Sequence, residues 1–379
     1  MTDDHTVTND TVSNGSGGPS DLDGGAESVD TGVAVFVLPA SGWLRVTGPD
    51  STKFLDSLIS QDLRSVEPGE VCFGLLLEPQ GKMGFSIDLA LVDENEWLVG
   101  TDVDRGAELM NALRRFLIRV AVDLVPVETG AVIEVIGEGF DDVFGHLNAI
   151  PPVPGRLSTS TLSADDGAAP DERTATHSVT TPDGTYSVVW YRSDWIYPRF
   201  VGVVTVAPAG AAAPENDADR HGGGPDGPEY AADMVTTMAD TLEDHGVVTG
   251  DPVLRERRRI QAGVPAAATE LDGIIPQEAG IVERRVSFTK GCFMGQELVC
   301  RIDSRGHVNR RLVRLGAAEA VEVGSELSLD TKVVGTVTSG AQTDSGWFGL
   351  GFVRREVSEA ATLTAGGVAV TVRSASSGF

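Results

Sequence analysis

Lys290-Gly291-Cys292-Phe293-Met294-Gly295-Gln296-Glu297, with Arg301 shortly after, sets an ammonium two residues from a thiol. The pair lies between glycines, ahead of a helix expected over Gln296–Ile302. A cysteine near a cation and a helix start tends toward the thiolate, the nucleophilic and metal-binding form. Gly291 and Gly295 permit backbone conformations closed to larger residues and let a ligand approach the main chain. The helix start offers unpaired N–H groups to an anion. A glycine-punctuated turn around an inert, half-buried cysteine fits the same residues, and both readings stand. Gln296 and Glu297 fit loop fixing or support of the helix N-terminus better than reaction.

A second concentration of chemistry is basic. Between Leu254 and Arg314 twelve Arg and Lys residues face seven acidic ones, a net of +5 in a chain of net charge −27. Arg forks match carboxylate and phosphate geometry, so the island is a candidate anion site; internal pairing with the acidic remainder is the alternative. Arg259 is the best single candidate. The three cysteines, Cys72, Cys292 and Cys300, form no C-x-x-C or Cys/His cluster, which argues against a disulfide framework or a zinc site. Cys72 and Cys300 read as core.

Composition bounds the rest. The chain has 379 residues and is 41% hydrophobic, enough for two or three domains with a sizeable core. No apolar run approaches the roughly 20 residues of a membrane span. MTDDHTVTND lacks the basic and apolar regions of a secretory leader, so a cytoplasmic location and no membrane partner are expected. Lysine occurs only at positions 53, 82, 290 and 332. Heavy acidity with scarce lysine points to a halophilic chain adapted to concentrated salt, where screening shortens self-repulsion; an ordinary acidic protein is the alternative.

These residues must be positioned by a regular frame. Residues 1–31 are too polar to offset their ordering entropy and read as a disordered acidic tail. Strands are expected at Val33–Leu38, Trp43–Val46, Val71–Leu77, Met83–Leu91, Val120–Val125, Ala131–Ile136, Tyr186–Tyr191 and Phe200–Val206. Helices are expected from Asp50, which with Pro49 suits a helix start, over Asp102–Phe116 with Leu109, Leu113, Phe116 and Leu117 on one face, near Phe140–Leu147, over Tyr230–Asp244 and over Pro252–Ala262. Residues 150–180 read as a connection and about 207–229 as an inserted loop. Trp195 and Tyr197 either stack on a flat ring or pack in the core. The β-α-β-β-α-β order gives an α+β body with ferredoxin-like units. Turn-separated β runs from Arg310 onward give a small C-terminal antiparallel β-barrel.

KGCFMGQE followed by Arg301 resembles the signature K-G-C-[YF]-x-G-Q-E of the YgfZ-type proteins, the folate-binding relatives of the glycine-cleavage T-protein (aminomethyltransferase). VTGPDSTKFLDSLISQDL, with Gln61 and Asp62, resembles the opening of that superfamily. RIQAGVP at Arg259–Pro265, Glu270 and Pro276-Gln277-Glu278 fit its later motifs in order. At Gln80-Gly81-Lys82-Met83-Gly84 the catalytic Asp of true aminomethyltransferases is missing; the next carboxylate, Asp88, lies further along a strand, expected to point elsewhere.

The resemblance implies a T-protein-like folate-binding domain over residues 32–305 and a barrel domain over 306–379. It implies a tetrahydrofolate-binding accessory protein, with tetrahydrofolate or a derivative as cofactor. Iron–sulfur proteins or their assembly machinery would be the partners, with a possible link to tRNA modification. Cys292 and Lys290 would be the reactive pair. Arg259, Glu270, Gly291, Phe293, Gly295, Gln296, Glu297 and Arg301 would surround the folate, its glutamate tail toward Arg259; Arg301 would pair with Glu297 or meet an anionic ligand. The alternatives are an aminomethyltransferase or folate-dependent demethylase, and an RNA-binding face on the Arg island, which lacks interleaved aromatics.

Overall fold

The computed structural model describes residues 33–127, 130–137, 157–159, 178–181, 184–193, 199–206, 236, 239–240, 242–244, 246–343 and 346–374. The expected tail, the helix near Phe140–Leu147, the inserted loop, and Trp195 and Tyr197 lie outside them.

Along the chain come β1 (Ala34–Pro39), β2 (Trp43–Thr47), α1 (Ser51–Leu58), β3 (Val71–Leu77), β4 (Met83–Asp93), β5 (Glu96–Gly100), α2 (Gly106–Arg114), β6 (Asp123–Pro126) and β7 (Gly130–Ile136). Then follow β8 (Leu157–Thr159), β9 (Ser178–Thr181), β10 (Gly184–Ser193), β11 (Arg199–Val206), β12 (Val248–Thr249) and α3 (Pro252–Ala262). A π-helical turn (Ala267–Leu271), α4 (Pro276–Ala279), α5 (Val282–Arg285) and α6 (Gln296–Arg305) lead to the last strands. These are β13 (Arg310–Ala317), β14 (Glu326–Leu329), β15 (Lys332–Thr343), β16 (Gly346–Arg354), β17 (Thr362–Ala365) and β18 (Val368–Ser374).

Two sheets build the body. One runs β3-β4-β5-β2-β6; the other runs β12-β1-β7-β11-β10-β8, with β9 on β10. Strand alternation divides the first sheet's side chains between two cores. Leu44, Val46, Ile87, Leu89, Trp97 and Val99 face α1 and α2 and pack on Phe54, Leu55, Leu109 and Leu113. Trp43, Ala90 and Leu98 face the second sheet and meet Val132, Val201 and Val203. On β4 the same alternation puts Ser86 and Asp88 on the face opposite Phe85, Ile87 and Leu89, which are buried.

The last six strands close into the barrel β13-β16-β15-β14-β17-β18. A third core of Leu75, Leu77, Met83, Ile260, Leu271, Phe293, Val299, Leu312 and Phe352 joins barrel, helices and first sheet. The fold is thus the expected α+β body with a C-terminal barrel, and α3 has the expected bounds. Asp251 Oδ1 accepts from the Leu254 N–H at 2.7 Å, Pro252 starts the helix, and Gly263 ends it at φ 77°, a left-handed conformation that favours glycine.

Several expectations need correction. Phe116 is exposed: α2 ends at Arg114, and beyond it Leu117 alone of the expected face still packs against the core. Asp50 does not cap α1 with its side chain; its Oδ2 accepts from the Ala121 N–H, 2.8 Å away and across the fold. The stretch 150–180 contains β8 and β9. The helix expected over Tyr230–Asp244 needs no correction at its described positions, since 236, 239, 240, 242 and 243 are helical. Among the described residues no helix is long and apolar enough to cross a membrane.

Gly295, which precedes α6, shows how tightly that helix sits on the β3–β4 turn. Its φ is 77°, and a Cβ there would lie 2.4 Å from the Glu78 carbonyl oxygen and 2.8 Å from Leu77 Cβ. Gly295→Ala therefore meets both a backbone penalty and a collision with main chain, and should lower unfolding stability by about 1–3 kcal/mol. Urea denaturation followed by tryptophan fluorescence measures it; an unchanged midpoint would refute the close approach.

Candidate functional site

Where the sheets part, α3 and the segment after it close off a cavity of about 320 Å³. That is near the lower end of the roughly 300–1,000 Å³ typical of small-molecule sites. The first sheet and the turn after β5 contribute Trp43, Ser86, Asp88, Gly100, Thr101 and Asp102; the second sheet contributes Val132, Glu134 and Val201. Helix α3 and the following loop add Arg255, Glu256, Arg259, Val264, Pro265 and Ala266, and Arg285 reaches in from α5.

Asp88 pairs directly with Gly100 across β4 and β5, which places it near Asp102. It is not directed elsewhere, as the sequence led one to expect: it lines the cavity, its Oδ1 3.5 Å from Arg285 Nη2. Asp102, missed in the sequence because it read as a helix start, is solvent-exposed and lines the cavity. Desolvation by the surrounding walls, then the neighbouring Asp88 charge, pushes its carboxyl above the usual range. One wall therefore carries two neighbouring acidic side chains, Asp88 within 3.5 Å of the Arg285 guanidinium and Asp102 with its proton affinity raised.

The Arg island divides into ion pairs. Arg255 bonds the buried Glu134, Arg285 meets Asp88, Arg301 meets Glu297 at 2.7 Å and Arg310 meets Glu278 at 3.0 Å. Arg258 donates to the Ile136 carbonyl. With Arg259 and Lys290, six of the island's twelve basic residues form ion pairs among the described residues, so internal pairing accounts for half of it.

Arg259 does line the cavity, but all five of its N–H donors are engaged. Nε and Nη2 form a fork on Glu256 at 2.8 and 2.6 Å. Nη1 donates to the Val264 carbonyl and, at 3.2 Å, to Glu270 Oε2; Nη2 also donates to Ser339 Oγ at 2.8 Å. Ser339 Oγ in turn donates to Glu270 Oε1 at 2.6 Å. A bulge in β15 between Val337 and Ser339 allows this, since bulges re-aim side chains. Glu270 is fully buried, also accepts from the Ala266 N–H and the Thr269 hydroxyl, and does not line the cavity.

The Lys290–Glu297 motif lies apart from the cavity. Lys290 does not serve Cys292: its ammonium is buried and bonds the Asp56, Ile59 and Gln61 carbonyls at 2.6, 2.9 and 2.7 Å and Asp56 Oδ1 at 3.0 Å. These are groups at the end of α1, where carbonyls lack helical partners and a cation is favoured. Burial lowers the lysine's proton affinity, and Asp56 opposes that effect. Phe293 is core, and its N–H donates to Gln296 Oε1 at 3.2 Å. Gly291 borders open space. Cys292 is exposed and lines no part of the cavity. Cys72 is half-buried beside Asp88, and burial pushes its thiol up to about 12. Among the described residues no three His, Cys, Asp or Glu side chains gather as a metal site.

Comparison with known proteins agrees with this architecture. Residues 309–376 match the family of the CAF17 C-terminal beta-barrel domain. A chloroplastic protein of Arabidopsis thaliana, provisionally named a transferase, is 34% identical over 122 residues, 31% of this chain and 27% of the relative. The tRNA-modifying protein YgfZ of Klebsiella pneumoniae is 36% identical over 95 residues, 23% of this chain and 29% of the relative. The chain thus spans under a third of each relative's length. The aminomethyltransferase T of the glycine cleavage system of Bartonella henselae superposes with a TM-score of 0.68 at 15% identity, over 91% of this chain and 86% of that one; this likeness concerns the fold.

Cys292 and Cys72 should separate by labelling. In native protein at neutral pH iodoacetamide should modify Cys292 first, and Cys72 only after unfolding or in strong alkali. Lys290→Gln should lower stability by about 3–5 kcal/mol, as for a broken buried pair, while changing the Cys292 labelling rate less than twofold. A large rate change in that variant, measured by mass spectrometry, would restore the lysine–thiol coupling.

Proposed function

We propose that this chain, a YgfZ/CAF17-type protein built on the T-protein fold, binds a reduced folate in the cavity between its sheets and α3. The observation that carries this reading is the lining itself. Trp43, Val132 and Val201 offer flat or apolar surface to a ring. Asp88 and Asp102 offer oxygens to the N–H donors of an aminopyrimidinone edge. The arginines of α3 stand on another wall, suited to the carboxylates of a glutamate tail. A bound reduced folate supplies a carrier for a one-carbon unit; the chain's residues hold and orient it and shield it from water.

The exposed thiol of Cys292, held by the Lys290 anchor on a loop apart from the cavity, supports a role in meeting a partner. We assign it to iron–sulfur proteins or their assembly machinery. A one-carbon transferase is the second reading. Asp102 favours it, because an acidic side chain on the cavity wall whose proton affinity is raised by its surroundings suits a general acid. The RNA-binding reading loses support, since half of the island's basic residues form ion pairs within the protein.

Calorimetric titration of the full chain with 5-formyltetrahydrofolate tests the proposal. One molecule should bind per chain, and Asp102→Asn should weaken binding by about 1–3 kcal/mol. Absence of binding, or full affinity in Asp102→Asn, would remove the cavity from the function.

A further inference from the structure

We propose that the Nε/Nη2 fork of Arg259 is a carboxylate-binding subsite and that Glu256 is its built-in occupant, displaced when a ligand with a carboxylate tail enters the cavity. This rests on the folate reading above for the ligand, but not for the subsite. The five donors of Arg259 divide into two kinds of partner. Glu270, Ser339 and the Val264 carbonyl are fixed: Glu270 is 0% and Ser339 5% exposed, and Val264 offers main chain. Glu256 is different, with half of its side-chain surface exposed while that of Arg259 is 9% exposed.

Glu256 takes the edge of the guanidinium most suited to an incoming carboxylate. Its two oxygens accept in parallel from Nε at 2.8 Å and Nη2 at 2.6 Å, the two-pronged geometry by which arginine recognises carboxylates generally. The Arg259 fork holds the Glu256 carboxyl below its usual range. Both residues line the cavity. A ligand carboxylate can therefore replace Glu256 without leaving the buried cation short of acceptors. The released Glu256 side chain, already half exposed, turns to water, while the ligand carboxylate takes over the two donors of the buried cation. The arrangement selects for ligands that carry a carboxylate, because a ligand without one leaves Glu256 in place.

The test compares wild type with Glu256→Gln and Glu256→Ala, full chain, at fixed salt, with three probes. These are 5-formyltetrahydrofolate, 6-methyltetrahydropterin, which lacks the tail, and glutarate, which has carboxylates and no pterin. Both variants should bind 5-formyltetrahydrofolate at least threefold tighter than wild type and 6-methyltetrahydropterin within twofold of it. Both should also gain affinity for glutarate. Unchanged or weaker binding of 5-formyltetrahydrofolate and glutarate, or an equal gain for the tail-less pterin, would overturn the subsite. If 5-formyltetrahydrofolate binds no form of the protein while glutarate binds the variants more tightly, the folate reading fails and the subsite stands.

Discussion

A single buried guanidinium, that of Arg259, ties the helix that closes the cavity to the barrel behind it. Taking a cation out of water is costly unless each donor finds an acceptor. Here the acceptors come from α3 itself, the loop after it, the π-helical turn and β15 of the barrel. Satisfying the charge therefore fixes the mutual position of four segments. Two of these acceptors are themselves buried: Glu270, fully enclosed, and Ser339, at the bulge in β15. The cavity wall is as rigid as this network, except at Glu256, whose exposed side chain is its loose member.

Lys290 plays a corresponding part on the other side of the first sheet. Its ammonium closes the end of α1, holding the loop before α6 against the loop that leads to β3. Gly295 and Phe293 then seat the helix on the β3–β4 turn and in the core shared with the barrel. Most of the motif that first suggests chemistry is thus an anchoring device. It leaves one reactive group, the Cys292 thiol, outside on a braced loop. Lys290 serves packing alone, whereas Arg259 serves it through Glu270, Ser339 and the Val264 carbonyl and keeps one edge on the half-exposed Glu256 at the cavity.

Much of the frame was legible in the sequence, because it rests on local signals. Asp251-Pro252 and Gly263 bracket α3, and period-two alternation marks β3, β4 and the barrel strands. Asp88 could have been placed by the same alternation: with Phe85, Ile87 and Leu89 in the core, Ser86 and Asp88 must face the other way. What the sequence hid was non-local. Nothing near Arg259 announces Ser339, eighty positions later, and nothing near Lys290 announces the carbonyls of Asp56, Ile59 and Gln61. A charged residue's partners decide whether it is available to a ligand, and these partners are far away along the chain. Asp102 read as a helix start, and its raised proton affinity comes from neighbours that only folding brings together.

The central claim is that a reduced folate lies between the sheets, not against the Cys292 loop. A crystal structure of the full chain soaked with 5-formyltetrahydrofolate addresses it most directly. Electron density for the pterin should fill the cavity beside Trp43, Asp88 and Asp102, with the tail toward α3. Density for the ligand at the Cys292 loop, with the inter-sheet cavity holding only solvent, would contradict it.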